Sequence, residues 1–110
     1  MLPLEITPGQ VRQRIDAGEK IRLIDVREPR EYEMAHIDGG ELIPMRDIPA
    51  ALVKLRAESM HATLVVYCHH GVRSLNVVHW LREQGVESCQ SMSGGIEAWS
   101  LSIDPSVPRY

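Results

Sequence analysis

The sequence predicts a single α/β domain with a central, mainly parallel five-stranded sheet flanked by helices. Short apolar runs alternate with amphipathic stretches along all 110 residues, which is typical of strands joined by crossover helices. The apolar content of 44% is enough for one hydrophobic core, and the length corresponds to one domain, residues 1–110. No internal repeat or linker divides the sequence.

The composition argues against several kinds of partner. The net charge is −3, and the charged side chains are scattered, so we expect no nucleic acid or acidic membrane surface as a partner. No apolar run approaches the roughly 18 residues of a membrane span, and the N-terminus lacks the basic and apolar regions of a signal peptide. We therefore expect a cytoplasmic protein, with a monomer as the default oligomeric state.

Two cysteines, Cys68 and Cys89, are too few and too far apart for a disulfide scaffold or a zinc site. In a reducing cytoplasm both are expected to remain thiols. Cys89 lies in an apolar segment, and we interpret it as a core residue rather than as a resolving thiol. Cys68 directly follows a predicted strand and is the candidate reactive thiol.

Capping signals predict the first helix. Thr7 is a candidate N-cap, Pro8 suits the first helical position, and Gln10 completes a capping box. A buried strand is then predicted over residues 21–26. Residues 27–40 are rich in charge, proline and glycine, and they predict a long functional loop with about one helical turn.

The second half of the chain alternates strands and helices. A short strand at residues 42–43 precedes a helix that Asp47 is expected to cap. Residues 63–67 have the β-branched, continuously apolar character of a central parallel strand. The remaining predicted elements are a helix over residues 74–84, a strand over residues 89–92, a short helix that carries Trp99, and an irregular surface tail that ends at Tyr110.

The segment between the 63–67 strand and the next helix is the candidate active site. In open parallel sheets, chemistry gathers at the carboxyl ends of strands, where the first amides of the next helix point outwards. These amides and the helix dipole favour the thiolate of Cys68. Arg73 adds a permanent positive charge, and Gly71 lets the loop curl so that its amides converge. The loop is therefore predicted to hold an anion.

The segment Cys68-x-x-Gly71-x-Arg73-Ser74 resembles the active-site loop of the rhodanese family. Two further parts of the chain are similar to the family's signatures. They are Asp25-Val26-Arg27 with Glu31-Tyr32 and His36-Ile37-Asp38-Gly39, and the later Ser93-Gly94-Gly95-Ile96-Glu97-Ala98-Trp99. Ala35 departs from the pattern, because the family usually has glycine at that position. The three parts cover nearly the whole chain in the family's order.

The resemblance implies a thiosulfate sulfurtransferase that needs no metal or organic cofactor. Cys68 would take the sulfane sulfur of a small-molecule donor such as thiosulfate and pass it, as a persulfide, to cyanide or a thiol. A protein is an alternative sulfur acceptor. Arg73 would either orient the anionic donor or brace the loop. The residues expected to bind substrate and persulfide are His69, His70, Gly71, Val72, Arg73 and Ser74.

Three residues outside the loop are predicted to support it. Asp25 and Arg27 follow the end of a strand, and we interpret them as an internal ion pair that organises the 27–40 loop. His36 is interpreted as a hydrogen-bonding turn residue.

His69 and His70 are adjacent, so their rings are expected to diverge rather than to share a metal ion. We interpret both as partly exposed loop residues; a protonated imidazole that attracts an anionic donor is the alternative.

Two other classes of function are alternatives to a sulfurtransferase. Cysteine-dependent phosphatases and arsenate reductases also place a thiolate in an amide loop closed by arginine. Their loop resembles Cys-x5-Arg, whereas four residues separate Cys68 from Arg73 here, and a shorter loop suits one terminal sulfur better than a tetrahedral phosphate. A non-catalytic regulatory or sulfur-carrier module of the same fold is the second alternative, although such modules typically lack the cysteine.

Overall fold

Five parallel strands form one sheet in the order β1-β5-β4-β2-β3 in the computed structural model, which describes residues 2–110. The predicted α/β class with a five-stranded sheet is confirmed. In chain order the strands are β1 (Glu5–Ile6), β2 (Ile21–Asp25), β3 (Glu41–Leu42), β4 (Thr63–Tyr67) and β5 (Cys89–Met92).

Residues 2–110 contain five α-helices in addition to the sheet. They are α1 (Pro8–Asp16), α2 (Pro29–Met34), α3 (Leu52–Ser59), α4 (Val72–Glu83) and α5 (Gly95–Ser102). The longest of them, α4, has 12 residues. Within residues 2–110, no helix is both long enough and apolar enough to cross a bilayer.

The beginning of the chain follows its local signals. The Thr7 side chain accepts a hydrogen bond from the Gln10 amide, and the Gln10 side chain accepts one from the Thr7 amide. The predicted capping box is therefore confirmed, and α1 begins at Pro8. The strand β1 is not evident from the sequence, because two residues show no periodicity; its pairing with β5 creates it.

The middle of the chain differs from the prediction in two places. The 27–40 loop contains the six-residue helix α2 rather than a single turn. The helix expected after Asp47 begins only at Leu52, after two 3₁₀ turns, Met45–Asp47 and Pro49–Ala51. The amides of Asp47, Ile48 and Ala51 donate to carbonyls three residues earlier, so this segment forms 3₁₀ turns before α3 begins.

The start of α4 is the boundary that matters most for the site. This helix begins at Val72, two residues before the predicted start at Ser74. Gly71 is its N-cap and has a left-handed backbone conformation with φ of 104°, which glycine adopts at low energetic cost. The earlier start places the first turn of α4 directly in front of Cys68.

Alternate side chains of β4 pack into opposite layers of the core. Leu64 and Val66 face the layer beneath α3 and α4, whereas Val65 and Tyr67 face the layer that includes Trp99 of α5. Val107 also belongs to the second layer and is only 7% exposed. The prediction of a surface tail is therefore wrong at this residue, because an apolar side chain anchors the tail to the core.

Candidate active site

The sulfur of Cys68 lies at the carboxyl end of β4, beneath the first turn of α4. The amide of Gly71 donates a hydrogen bond to Cys68 Sγ at 3.1 Å, and the amide of Ser74 donates one at 3.4 Å. Cys68 itself is only 1% exposed. Two backbone donors thus converge on one buried sulfur, and this arrangement favours negative charge there.

Ser74 links this sulfur to the neighbouring strand. Its Oγ accepts a hydrogen bond from the Cys68 thiol at 3.4 Å and donates one to the Gly71 carbonyl at 3.2 Å. Ser91 Oγ on β5 lies 2.8 Å from the same Ser74 oxygen. Ser91 is not among the predicted site residues; the available signal was a serine within a buried strand. The two hydroxyls hold the loop against the sheet.

The start of α5 holds the other side of the loop. The amide of Ile96 donates to the Cys68 carbonyl at 2.9 Å, and the amide of Glu97 donates to the His69 carbonyl at 3.2 Å. Gly95 lies so close that a Cβ there would collide with these two carbonyl oxygens. The Ser93–Trp99 signature therefore has a positional role, because the first amides of α5 satisfy the backbone that carries Cys68.

Arg73 points to a carboxylate rather than standing free. Its Nη1 and Nη2 donate to Glu31 Oε1 and Oε2 at 2.8 and 3.1 Å. The Arg73 guanidinium holds the pKa of Glu31 at about 2, well below its ordinary value. Glu31 lies on α2, so this bidentate pair ties the Cys68 loop to the 27–40 segment. Of the two roles expected for Arg73, the contacts favour bracing.

The ion pair between Glu31 and Arg73 should make the free energy of unfolding depend on pH. Because the pKa of Glu31 falls from 4.5 to about 2 on folding, its contribution is complete above pH 4.5 and is lost as the pH falls towards 2. Glu31→Gln should lower the free energy of unfolding by about 2 kcal/mol at pH 7. The difference from the wild type should shrink below pH 4.5. Urea unfolding across this pH range measures both values.

Glu33→Gln is the matched control, because Glu33 is an exposed residue of the same helix. It should leave the pH dependence of unfolding as it is in the wild type. If the free energy of unfolding fell with decreasing pH in the same way for wild type and Glu31→Gln, that result would contradict the assigned coupling between Glu31 and Arg73.

Asp25 and Arg27 form a fully buried ion pair. Arg27 Nε and Nη2 donate to Asp25 Oδ1 and Oδ2 at 2.9 and 2.7 Å, and both side chains are 0% exposed. Arg27 also donates to the Ala35 carbonyl at 2.6 Å and to the hydroxyl of Tyr110 at 2.7 Å. Burial opposes the charge on Arg27, but its bonds to Asp25 and Tyr110 raise its pKa above the ordinary value. The expected internal ion pair is present and organises the 27–40 segment.

The two histidines after Cys68 do not diverge. Their rings stack with centroids 3.9 Å apart and an interplanar angle of 23°, and the ring of Tyr110 stacks on the other side of His69 at 3.9 Å. The expectation of diverging rings is therefore wrong, because a third ring holds His69 parallel to His70. His69 is half-buried and His70 exposed. Within residues 2–110, no group of three or more His, Cys, Asp or Glu side chains is placed to bind a metal ion.

The remaining residues that the sequence singled out make no hydrogen bond to the sulfur of Cys68. His36 is exposed; its Nδ1 lies 3.1 Å from the Tyr32 carbonyl, and its ring stacks on that of Tyr32. Val72 is 71% exposed at the rim of the loop. Cys89 is fully buried and donates to the Val86 carbonyl at 3.3 Å. Burial raises the pKa of the Cys89 thiol, and its interpretation as a core residue is confirmed.

A thiol at the carboxyl end of a central parallel strand, enclosed by helix-start amides, defines a site for covalent transfer by cysteine. A sequence profile described as Rhodanese-like domain matches residues 7–102. The chain belongs to this family of sulfurtransferases.

Comparisons with individual proteins agree with this assignment. The chain is 35% identical over 101 residues to the putative sulfurtransferase YtwF of Bacillus subtilis, covering 92% of this chain and 94% of that protein. It is 30% identical to the thiosulfate sulfurtransferase GlpE of Pseudoalteromonas translucida over 94% of this chain and 95% of that one. A crystal structure of a rhodanese-like domain protein from Staphylococcus aureus superposes with a TM-score of 0.81, at 27% identity, over 98% of this chain and 99% of the other.

Several relatives are much longer. The probable adenylyltransferase/sulfurtransferase MoeZ of Mycobacterium tuberculosis is 38% identical over 107 residues, which is 96% of this chain but 26% of that protein. The chain thus spans about a quarter of the length of such relatives.

Proposed function

We propose that this protein transfers sulfane sulfur from a small donor such as thiosulfate to cyanide or a thiol, through a persulfide on Cys68. The observation that carries the proposal is the convergence of the Gly71 and Ser74 amides on Cys68 Sγ, at 3.1 and 3.4 Å. Both the thiolate and the persulfide that it would form are anions. One set of fixed donors therefore serves every covalent state of the reaction.

In the first step the Cys68 thiolate attacks the outer sulfur of thiosulfate. A new sulfur–sulfur bond forms at Cys68 while the original one breaks, and sulfite leaves with the electron pair. The first turn of α4 faces the attacked sulfur, and its amides would receive the terminal sulfur of the persulfide. Because Cys68 is buried, the donor must present its outer sulfur through the mouth of the loop.

In the second step an acceptor attacks the terminal sulfur of the persulfide. The sulfur–sulfur bond breaks again, and its electron pair returns to Cys68 as a thiolate. With cyanide the product is thiocyanate; with a thiol it is a new persulfide. The Ser74 amide, at the start of α4, then stabilises the departing thiolate. The same contacts therefore lower the barrier in both steps of the reaction.

The proposal gives Arg73 a bracing role. Its guanidinium is occupied by Glu31, which makes it a fixed part of the wall of the loop rather than a free binding group. The bracing matters because transfer depends on amides that already point at the sulfur before the donor arrives.

We place the catalytic unit in one domain, residues 1–110. The acceptor includes a thiol on a partner protein as an alternative to a small molecule. Relatives such as MoeZ, whose name combines an adenylyltransferase with a sulfurtransferase, support this extension.

Intact mass spectrometry with thiosulfate tests the proposal directly. Incubation of the purified protein should add one sulfur atom, about 32 Da. Cyanide should remove it and release an equivalent amount of thiocyanate. Peptide mapping should place the added sulfur on Cys68 and leave Cys89 unmodified.

A folded protein that gains no sulfur from thiosulfate or from a small persulfide would contradict the proposal. An aryl-phosphate hydrolysis assay on the same sample would then separate the two alternatives. Phosphate release would indicate a phosphatase, and its absence a regulatory module.

A further inference from the structure

The tail that follows α5 is fixed to the domain at two points and delivers Tyr110 to the Cys68 loop. Val107 is buried in the core, and its carbonyl accepts a hydrogen bond from Ser100 Oγ at 2.6 Å. Arg109 forms a bidentate pair with Glu97, both distances being 3.0 Å. The tail therefore does not depend on Tyr110 for its attachment. The contacts of Tyr110 are directed at the site.

The ring of Tyr110 covers one face of His69. The two rings lie 3.9 Å apart at an interplanar angle of 14°, and the opposite face of His69 carries His70. His69 Nε2 is buried and has no hydrogen-bond partner among residues 2–110. Burial is the main cause that lowers the pKa of His69, and the adjacent His70 lowers it further. The stack with Tyr110 thus restrains the residue that directly follows Cys68.

The hydroxyl of Tyr110 reaches the other flank of the loop. It accepts a hydrogen bond from Arg27 Nη1 at 2.7 Å and donates one to Glu31 Oε2 at 2.7 Å. That same Glu31 oxygen accepts from Arg73 Nη2 at 3.1 Å. The Tyr110 side chain therefore connects the buried Asp25–Arg27 ion pair to the Glu31–Arg73 ion pair. Burial raises the pKa of Tyr110 to about 12, so the hydroxyl keeps the proton that it donates.

We propose that Tyr110 is a positioning residue for sulfur transfer, which clamps the Cys68 loop from both sides. The inference rests on the proposed function of Cys68. His69 and Arg73 lie on either side of the loop turn at Gly71, and Tyr110 acts on the first by stacking and on the second through Glu31. With both flanks held, the amides of Gly71 and Ser74 stay aimed at the sulfur, and small displacements of such groups reduce the rate strongly.

Three variants test the two contacts separately. Tyr110→Ala removes both and should lower kcat for thiosulfate-to-cyanide transfer about 10-fold, with a smaller change in KM. Tyr110→Phe keeps the stack but loses the hydroxyl, and should lower kcat about 3-fold. Ser106→Ala removes an exposed hydrogen bond to Asp104 in the same tail, which touches neither the loop nor the two attachments of the tail, and should leave both constants unchanged.

NMR titration of His69 checks the stacking contact itself, whereas the larger change in kcat than in KM is the readout that a merely structural role would not produce. In Tyr110→Ala the exposed imidazole should titrate at a higher pH than in the wild type. In Tyr110→Phe, where the ring still covers it, the titration should stay close to that of the wild type.

The outcomes separate this inference from the proposed function. An active wild type with unchanged kcat in Tyr110→Ala overturns the positioning role and leaves the persulfide mechanism standing. A lowered melting temperature in Tyr110→Ala, with wild-type kinetics below it, also overturns the role. A wild type without sulfur transfer overturns both. The graded loss from wild type through Phe to Ala, together with the His69 shift, supports the inference.

Discussion

Replacing Cys68 with serine should abolish sulfur transfer, with a fall in kcat/KM of at least about 1,000-fold. The serine hydroxyl can occupy the same position and accept the hydrogen bond of the Gly71 amide, so the fold should be retained. A hydroxyl does not supply the thiolate that attacks the donor sulfur. Steady-state assays of thiocyanate formation measure the loss, and circular dichroism checks the fold.

Cys89→Ala is the matched control for this experiment. Cys89 is equally buried, but it lies in the core and contacts the Val86 carbonyl rather than the loop. Its removal should lower stability modestly and leave turnover unchanged. Retained turnover in Cys68→Ser would show that another group carries the sulfur and would overturn the mechanism.

Replacing Arg27 with alanine should cause the largest loss of stability among single substitutions near the site. It leaves the carboxylate of Asp25 buried, at 0% exposure, without a counter-charge. Removing one partner of a buried ion pair typically costs about 3–5 kcal/mol. For a domain of this size, we expect a fall in the melting temperature of more than about 10 °C. Thermal unfolding followed by calorimetry measures it.

Two further variants show whether the unpaired charge is the cause. Arg46→Ala removes an arginine from an exposed pair with Glu28, and it should leave the melting temperature close to that of the wild type. Asp25→Asn in the Arg27→Ala background removes the orphaned charge and should restore part of the lost stability. A double variant no more stable than Arg27→Ala would refute the explanation.

The site also shows why the positions of the glycines matter more than their number. Gly71 needs its left-handed backbone to start α4 in front of the sulfur, whereas Gly95 needs the absence of a Cβ beside the carbonyls of Cys68 and His69. The first requirement is evident from the sequence of the loop itself. The second depends on a segment that lies far along the chain from Cys68, and only the packed structure reveals it.

Elements with short-range signals were predictable from the sequence. The capping box of Thr7 and Gln10 joins residues three apart, and the structure contains both of its hydrogen bonds. The apolar run of β4, the cysteine at its end and the glycine before α4 likewise lie within a few residues of one another. Their order along the chain was sufficient to predict the sheet class and the loop that carries the candidate nucleophile, because each depends on interactions between near neighbours.

The tertiary structure alone decided which side chains meet around that loop. Glu31 and Arg73 are 42 positions apart, and Arg27 and Tyr110 are 83 apart. No periodicity in a sequence specifies which carboxylate faces an arginine across two packed segments, or which ring covers a histidine. Those pairings arise because the parallel sheet brings the ends of β2 and β4 side by side and the buried Val107 folds the tail back over them. The position of the candidate nucleophile is thus determined by the local sequence, whereas the contacts that hold its loop in place are determined by the fold.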